Sequence, residues 1–146
     1  MASKLTTGAS EPPDVWIPIS SMLFHAYTLS IRCAPMAGSD APVVSFDDME
    51  NIYFAVTRKN ISGQPQEGWI PSEKMSVDEA VKLFTKNAAY ASYTEDENGT
   101  IEVEKNADFV VLEKDIYKID PDEIKTTKVD MTVLGGEIVY ERKVEE

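Results

Sequence analysis

The sequence predicts an α/β fold in which one short strand is followed by two helices and then by several strands. Two amphipathic segments that begin with capping residues predict the helices, and apolar or alternating segments beyond Tyr93 predict the strands. The 146 residues suggest one domain. A composition of 42% hydrophobic and 27% charged residues is that of a globular chain.

The first 37 residues divide into three parts. Residues 1–14 are rich in Ser, Thr and Pro and predict a flexible tail. Residues 15–31 are apolar, and their periodicity does not decide between helix and strand. Ile31–Ala37 predicts a short buried strand, which ends in the turn-forming sequence Gly38-Ser39-Asp40-Ala41-Pro42.

Two helices are expected next, separated by a Gly- and Pro-rich loop over residues 63–71. The first begins at Ser45, which is expected to cap it together with Asp48. The second begins with a capping box formed by Ser76 and Glu79, and its apolar residues recur at helical spacing as far as Ala91.

The C-terminal third predicts strands. Thr100–Glu104 alternates with period two, and Phe109–Leu112 is a continuous apolar run typical of a strand covered on both faces. Asp120–Ile124 suggests a single helical turn. Val129–Leu134 and Glu137–Glu141 flank two glycines and predict a hairpin.

Charge and composition exclude several classes of function. The formal net charge is −12, from 26 acidic and 14 basic residues, so the chain lacks the basic field that a nucleic-acid partner requires. No apolar run approaches the length of about 20 residues that a membrane-spanning helix needs. One Cys and one His cannot form a zinc site of the usual Cys/His type, and the lone Cys suits a cytoplasmic location.

Asp40 is the strongest candidate site residue, because it follows a predicted buried strand where α/β folds place ligand and metal groups. Asp is also common in turns, so this position alone leaves a structural role open. Thr94–Lys105 resembles a calcium-binding loop but has Thr first and Lys twelfth, which favours a solvated acidic turn. His25 and Cys33 could form a base and nucleophile, but no motif supports that pairing.

Five segments stand out in order along the chain: residues 38–43, 52–59, 87–92, 107–112 and the Gly135-Gly136 pair. Together, over about residues 36–142, they resemble the C-terminal portion of metal-dependent amidohydrolases of the amidohydrolase-3 type, which includes formamide deformylase-like enzymes. The resemblance implies the last strand and helices of a (β/α)₈ barrel in residues 15–93. It implies strands of a small β-sandwich in residues 94–146.

The resemblance also implies a role for Asp40. It would bind a divalent metal, most simply zinc, or accept a proton from the water that attacks a small amide-like substrate. The family's His-x-His pair, bridging lysine and two further histidines are missing from this chain, and Glu104 replaces a glycine that the family usually has. A barrel needs about 250 residues. We therefore expect a fragment that is inactive alone.

Two alternatives remain open. The chain could be a stand-alone interaction module that reuses the hydrolase scaffold and forms homo-oligomers through exposed sheet edges. It could also be an unrelated α+β domain in which Asp40 is only a turn residue.

Overall fold

The computed structural model describes residues 35–39 and 45–143. Within these ranges the chain forms three α-helices, two short 3₁₀ turns and one three-stranded antiparallel sheet, so the predicted α/β character is confirmed. The helices are α1 (Asp48–Thr57), α2 (Val77–Phe84) and α3 (Lys86–Ala91), and the strands are β1 (Phe109–Leu112), β2 (Val129–Leu134) and β3 (Glu137–Glu141). The 3₁₀ turns are Pro71–Glu73 and Pro121–Thr126.

The N-cap of helix α1 lies two residues later than the predicted cap, Ser45. The carboxylate of Asp47 accepts a hydrogen bond from the backbone N–H of Met49 at 2.9 Å, so Asp47 is the N-cap and the expected cap at Ser45 is wrong. The Ser45 hydroxyl instead accepts from the N–H of Asp47 at 3.2 Å. Ser and Asp are both favoured at the N-cap position, so only the backbone path decides which of them caps α1.

The core lies between α1, α2 and the second 3₁₀ turn. Tyr53 of α1 and Ile124 of the turn are completely buried, and Ala80 of α2 closes the third side. Full burial of a large apolar side chain stabilises the fold by roughly 1.5–3 kcal/mol. This cluster therefore joins the helical part of the chain to the segment that carries the sheet.

Polar contacts reinforce the same junction. The ammonium group of Lys59 lies 2.8 Å from the carboxylate of Asp122, and the ammonium group of Lys125 lies 4.6 Å from the centre of the Tyr53 ring. Lys125 also donates to the carbonyl of Ile61 at 2.8 Å. The helical turn predicted at residues 120–124 is confirmed, and its position between β1 and β2 fixes the sheet against α1.

The capping box of the second predicted helix is present. Ser76 accepts from the N–H of Glu79, and the Glu79 carboxylate accepts from the N–H of Ser76. The helix does not continue unbroken to Ala91, because Thr85 adopts φ −120° and ψ −98° and separates α2 from α3. The Thr85 hydroxyl donates to the carbonyl of Val81 at 2.8 Å, a bond that competes with the helical pattern.

The predicted hairpin is confirmed with the same bounds, and Val133 pairs with Ile138 across it. Strand β1 pairs with β2, with Phe109 opposite Val133. The expectation that β1 is covered on both faces is wrong for the described residues, since Val110 and Val111 are 52% and 42% exposed. Strand β1 is an outer strand, and the described part of the chain packs no complete layer over it.

The strand predicted at Thr100–Glu104 does not form. Its alternating apolar residues, Ile101 and Val103, are both highly exposed, and Glu104 has a φ of +76° that no regular strand adopts. A period-two pattern stabilises a strand only when one face is buried and a neighbour supplies hydrogen bonds. In the described ranges neither condition is met here.

Candidate functional site

The segment Pro35–Ser39 leads directly into the candidate residue Asp40. Asp40 itself, like His25 and Cys33, lies outside the described residues, so the roles considered for these three residues remain predictions. The described residues of the predicted strand, Pro35–Ala37, have no regular secondary structure. Their position must therefore be fixed by other contacts.

Two hydrogen bonds hold this segment against the helices. The side-chain amide of Asn87, in the first turn of α3, donates to the carbonyl oxygen of Pro35 at 2.6 Å. The backbone N–H of Ala37 donates to the carbonyl of Leu83 in α2 at 3.4 Å. The break at Thr85 places both partners, four residues apart, beside the same stretch of chain. The described segment that precedes Asp40 is thus held by the α2–α3 junction.

Acidic residues that follow Asp40 in the sequence, Asp47 and Asp48, begin α1. Asp47 is committed to capping, as described above. Burial, and secondarily the charge of Asp47, raises the pKa of the neighbouring Asp48 carboxyl above its usual value. The described ranges contain no group of three or more His, Cys, Asp and Glu side chains that could hold a metal. The described residues therefore do not by themselves fit a metal centre.

The acidic turn at residues 94–105 is closed by a cation from the chain itself. The ammonium group of Lys105, with a side chain only 17% exposed, donates to the carbonyl of Glu95 at 2.5 Å. The N–H of Asn106 also donates to the carbonyl of Glu97 at 2.9 Å. Lys105, the residue that breaks the calcium-loop pattern, is thus the residue that closes the turn.

Two of the sequence segments quoted above meet at the end of the hairpin. The Asp108 carboxylate accepts from the N–H of Gly135 at 2.6 Å, and the N–H of Gly136 donates to the carbonyl of Ala107 at 3.1 Å. Asn87 and Pro35 are likewise joined by a hydrogen bond although they are far apart in the sequence. Sequence reasoning assigned no role to Asn87 or Asp108. For Asp108, the sequence contained a signal. A carboxylate that can accept hydrogen bonds stands next to a predicted strand, and the Gly135-Gly136 turn has N–H groups that can donate them.

Comparison with protein families decides the classification. Residues 29–140 match the model of the amidohydrolase family, a range that includes Asp40 and all five quoted segments. The chain belongs to this family. The predicted resemblance is therefore confirmed, and the unrelated α+β domain is excluded. The backbone at Glu104 agrees with the family assignment. Its φ is positive, a conformation that favours glycine, the residue that the family usually has there.

Curated relatives give the same result. The chain is 39% identical over 112 residues to the putative amidohydrolase YtcJ of Bacillus subtilis, an alignment that covers 77% of this chain and 21% of the relative. It is 33% identical over 125 residues to N-substituted formamide deformylase of Arthrobacter pascens, which covers 86% of this chain and 21% of that enzyme. The chain thus spans about a fifth of the length of these relatives.

A solved structure, an amidohydrolase from Thermotoga maritima, also aligns with the chain. The sequence identity is 19% and the TM-score is 0.42, with 83% of this chain and 36% of the other covered.

None of the helices in the described ranges is both long enough and apolar enough to cross a membrane.

Proposed function

We propose that this chain supplies the C-terminal part of a metal-dependent amidohydrolase that hydrolyses amide-like C–N bonds. The observation that carries the proposal is the family match over residues 29–140, which includes the Gly38-Ser39-Asp40 turn. In this proposal, residues 15–93 provide the last strand and helices of a (β/α)₈ barrel after a tail at residues 1–14. Residues 94–146, with the three described strands, belong to a β-sandwich.

Asp40 is the residue that this part contributes to the chemistry. Its carboxylate binds a divalent metal, zinc being our first choice, or accepts a proton from the attacking water. One carboxylate cannot hold a catalytic metal by itself, and the described residues offer no group of three ligands. We therefore propose that the chain alone hydrolyses nothing and acts with an upstream part, in the cytoplasm.

A small amide-like molecule is the proposed substrate, and an N-substituted formamide is the first compound to test because a relative is named for deformylating such compounds. The experiment replaces the fifth of the Arthrobacter pascens enzyme that aligns with this chain by the chain itself. We expect the hybrid to release formate. Asp40→Asn should lower the rate by about 10²–10⁴-fold, the range for loss of a group that transfers a proton.

The matched control is Asp96→Asn, which makes the same chemical change in the exposed acidic turn and should leave the rate unchanged. A hybrid that folds and binds metal but keeps its rate with Asp40→Asn contradicts the role of Asp40. Metal-dependent turnover by the isolated chain, abolished by Asp40→Ala, contradicts the proposal that it is inactive alone. Circular dichroism and metal content of each hybrid separate a folding failure from a chemical one.

The second candidate function, an oligomerisation module, is favoured by the outer strand β3. All five residues of β3 are exposed, including Ile138, Val139 and Tyr140. An unprotected apolar outer strand is a surface on which a second copy can add a strand. Sedimentation velocity tests this: a concentration-dependent dimer abolished by Val139→Pro supports it, and a monomer at all concentrations excludes it.

A further inference from the structure

A cleft of about 940 Å³ lies between helices α2 and α3 on one side and strand β1 on the other. Its apolar walls include Val81 and Phe84 of α2, Ala88 of α3, and Phe109 and Val111 of β1. Charged residues, among them Glu113 and Lys114, follow at the end of β1. The cleft is therefore mainly apolar and has charged residues at one end.

No segment in the described ranges covers this cleft. Val110 and Val111 are about half exposed, and Ile101, which also lines the cleft, is 82% exposed. Strand β1 stands at one end of the strand order β1-β2-β3, so its outer edge has no partner strand among the described residues. Apolar side chains beside an unpaired strand edge are costly to leave in water and indicate a surface that another segment covers.

The chain contains one segment suited to such a surface. Residues 15–31 include no Asp, Glu, Lys or Arg over seventeen positions, in a sequence of which 27% is charged. The segment is rich in large apolar side chains: Trp16, Ile17, Ile19, Met22, Leu23, Phe24, Leu29 and Ile31. Side chains of this kind are normally buried. Most of the segment precedes residue 29, where the family match begins.

The described contacts place Pro35, which follows this segment in the sequence, near one end of the cleft. The carbonyl of Pro35 is bound by Asn87, and the next residue of α3, Ala88, lines the cleft. Ile31 lies four residues before Pro35, a distance that an extended chain spans with at most about 14 Å. The uncharged segment is thus tethered within reach of the apolar walls.

We propose that residues 15–31 occupy the cleft between α2, α3 and β1 of the same chain. The apolar side chains of the segment bury Val110, Val111 and Phe84, and the absence of charge lets it enter without desolvating an ion. This assignment uses only the cleft and the uncharged segment. It holds whether or not the chain supplies part of an amidohydrolase.

Photo-crosslinking of the full-length chain tests the assignment. Val111→p-benzoylphenylalanine places the reactive group in the cleft, and Leu134→p-benzoylphenylalanine, on an exposed position of β2 outside the cleft, is the matched control. The protein is an equal mixture of ¹⁴N- and ¹⁵N-labelled chains, so that mass spectrometry distinguishes crosslinks within one chain from crosslinks between two. We expect position 111 to give crosslinks to residues 15–31 within one chain, several-fold more than position 134.

Crosslinks from position 111 that join light and heavy chains would assign the cleft to a second copy and overturn the proposal. Crosslinks to other residues, equal yields from both positions, or no crosslink would overturn it as well. A second readout is the emission of Trp16 in a Trp69→Phe background, where it is the single tryptophan. Val111→Asp should shift that emission to the red while Leu134→Asp leaves it unchanged, and an unchanged spectrum in both contradicts the assignment.

Discussion

The side-chain amide of Asn87 lies 2.6 Å from the carbonyl oxygen of Pro35, across 52 residues of sequence, and ties the start of α3 to the segment that enters Asp40. No regular secondary structure holds that segment in the described ranges. Among the described residues, the segment Pro35–Ser39 is held by this side-chain bond and by the backbone bond from Ala37 to Leu83.

Replacing the Asn87 amide should loosen this segment. Asn87→Asp removes the donor and turns a carboxylate toward the Pro35 carbonyl, so we expect the free energy of unfolding to fall by about 1–3 kcal/mol. Urea denaturation measures the change, and faster amide hydrogen exchange at Ala37 would locate it. Lys86→Gln, on the exposed neighbour, is the control, and equal stabilities for the two variants would contradict the anchoring role.

Glu104 should be replaceable by glycine with a gain in stability. Its φ of +76° costs an L-residue about 1–2 kcal/mol, and glycine would relieve this strain. Part of the relief is offset because glycine gives the unfolded chain more conformational freedom. We expect Glu104→Gly to raise the free energy of unfolding by up to about 1 kcal/mol. Glu97→Gly, the same change at a residue without a positive φ, should lower it, and the same sign for both variants would refute the argument.

Gly99 should tolerate a methyl group less well than Gly63. Both have positive φ, but a Cβ at Gly99 would lie 2.7 Å from the Cβ of Ala89 in α3, whereas a Cβ at Gly63 meets nothing within 4 Å. The strain common to both is about 1–2 kcal/mol, and overpacking adds about 1–3 kcal/mol at Gly99. Thermal unfolding of Gly99→Ala and Gly63→Ala measures the difference, and equal losses would mean that the turn does not pack on α3.

The Asp115 carboxylate should titrate below its usual range. The ion pair with Lys118, at 2.7 Å, and then the backbone N–H of Tyr117 lower its pKa from 3.8. Because the folded pKa is depressed, the stabilisation is present above about pH 3.8 and is lost as the pH falls through the folded pKa. NMR titration of the Asp115 carboxyl carbon should show a rise in pKa in Lys118→Gln and none in Lys74→Gln.

The sequence alone predicted the elements whose determinants are local. The capping box of Ser76 and Glu79, the 3₁₀ turn after Asp120 and the hairpin around Gly135-Gly136 each depend on residues within a few positions of one another. The family was likewise readable from ordered segments of the sequence, and the match over residues 29–140 confirms it.

Tertiary structure decided what the local patterns left open. Asp47 rather than Ser45 caps α1, and the helix breaks at Thr85. Ile101 and Val103 are exposed because no other segment in the described ranges offers them a buried face or a partner strand. The contacts of Asn87 with Pro35 and of Asp108 with Gly135 join residues 52 and 27 positions apart. Such bonds form only where the folded chain brings donor and acceptor together, so no local pattern specifies them.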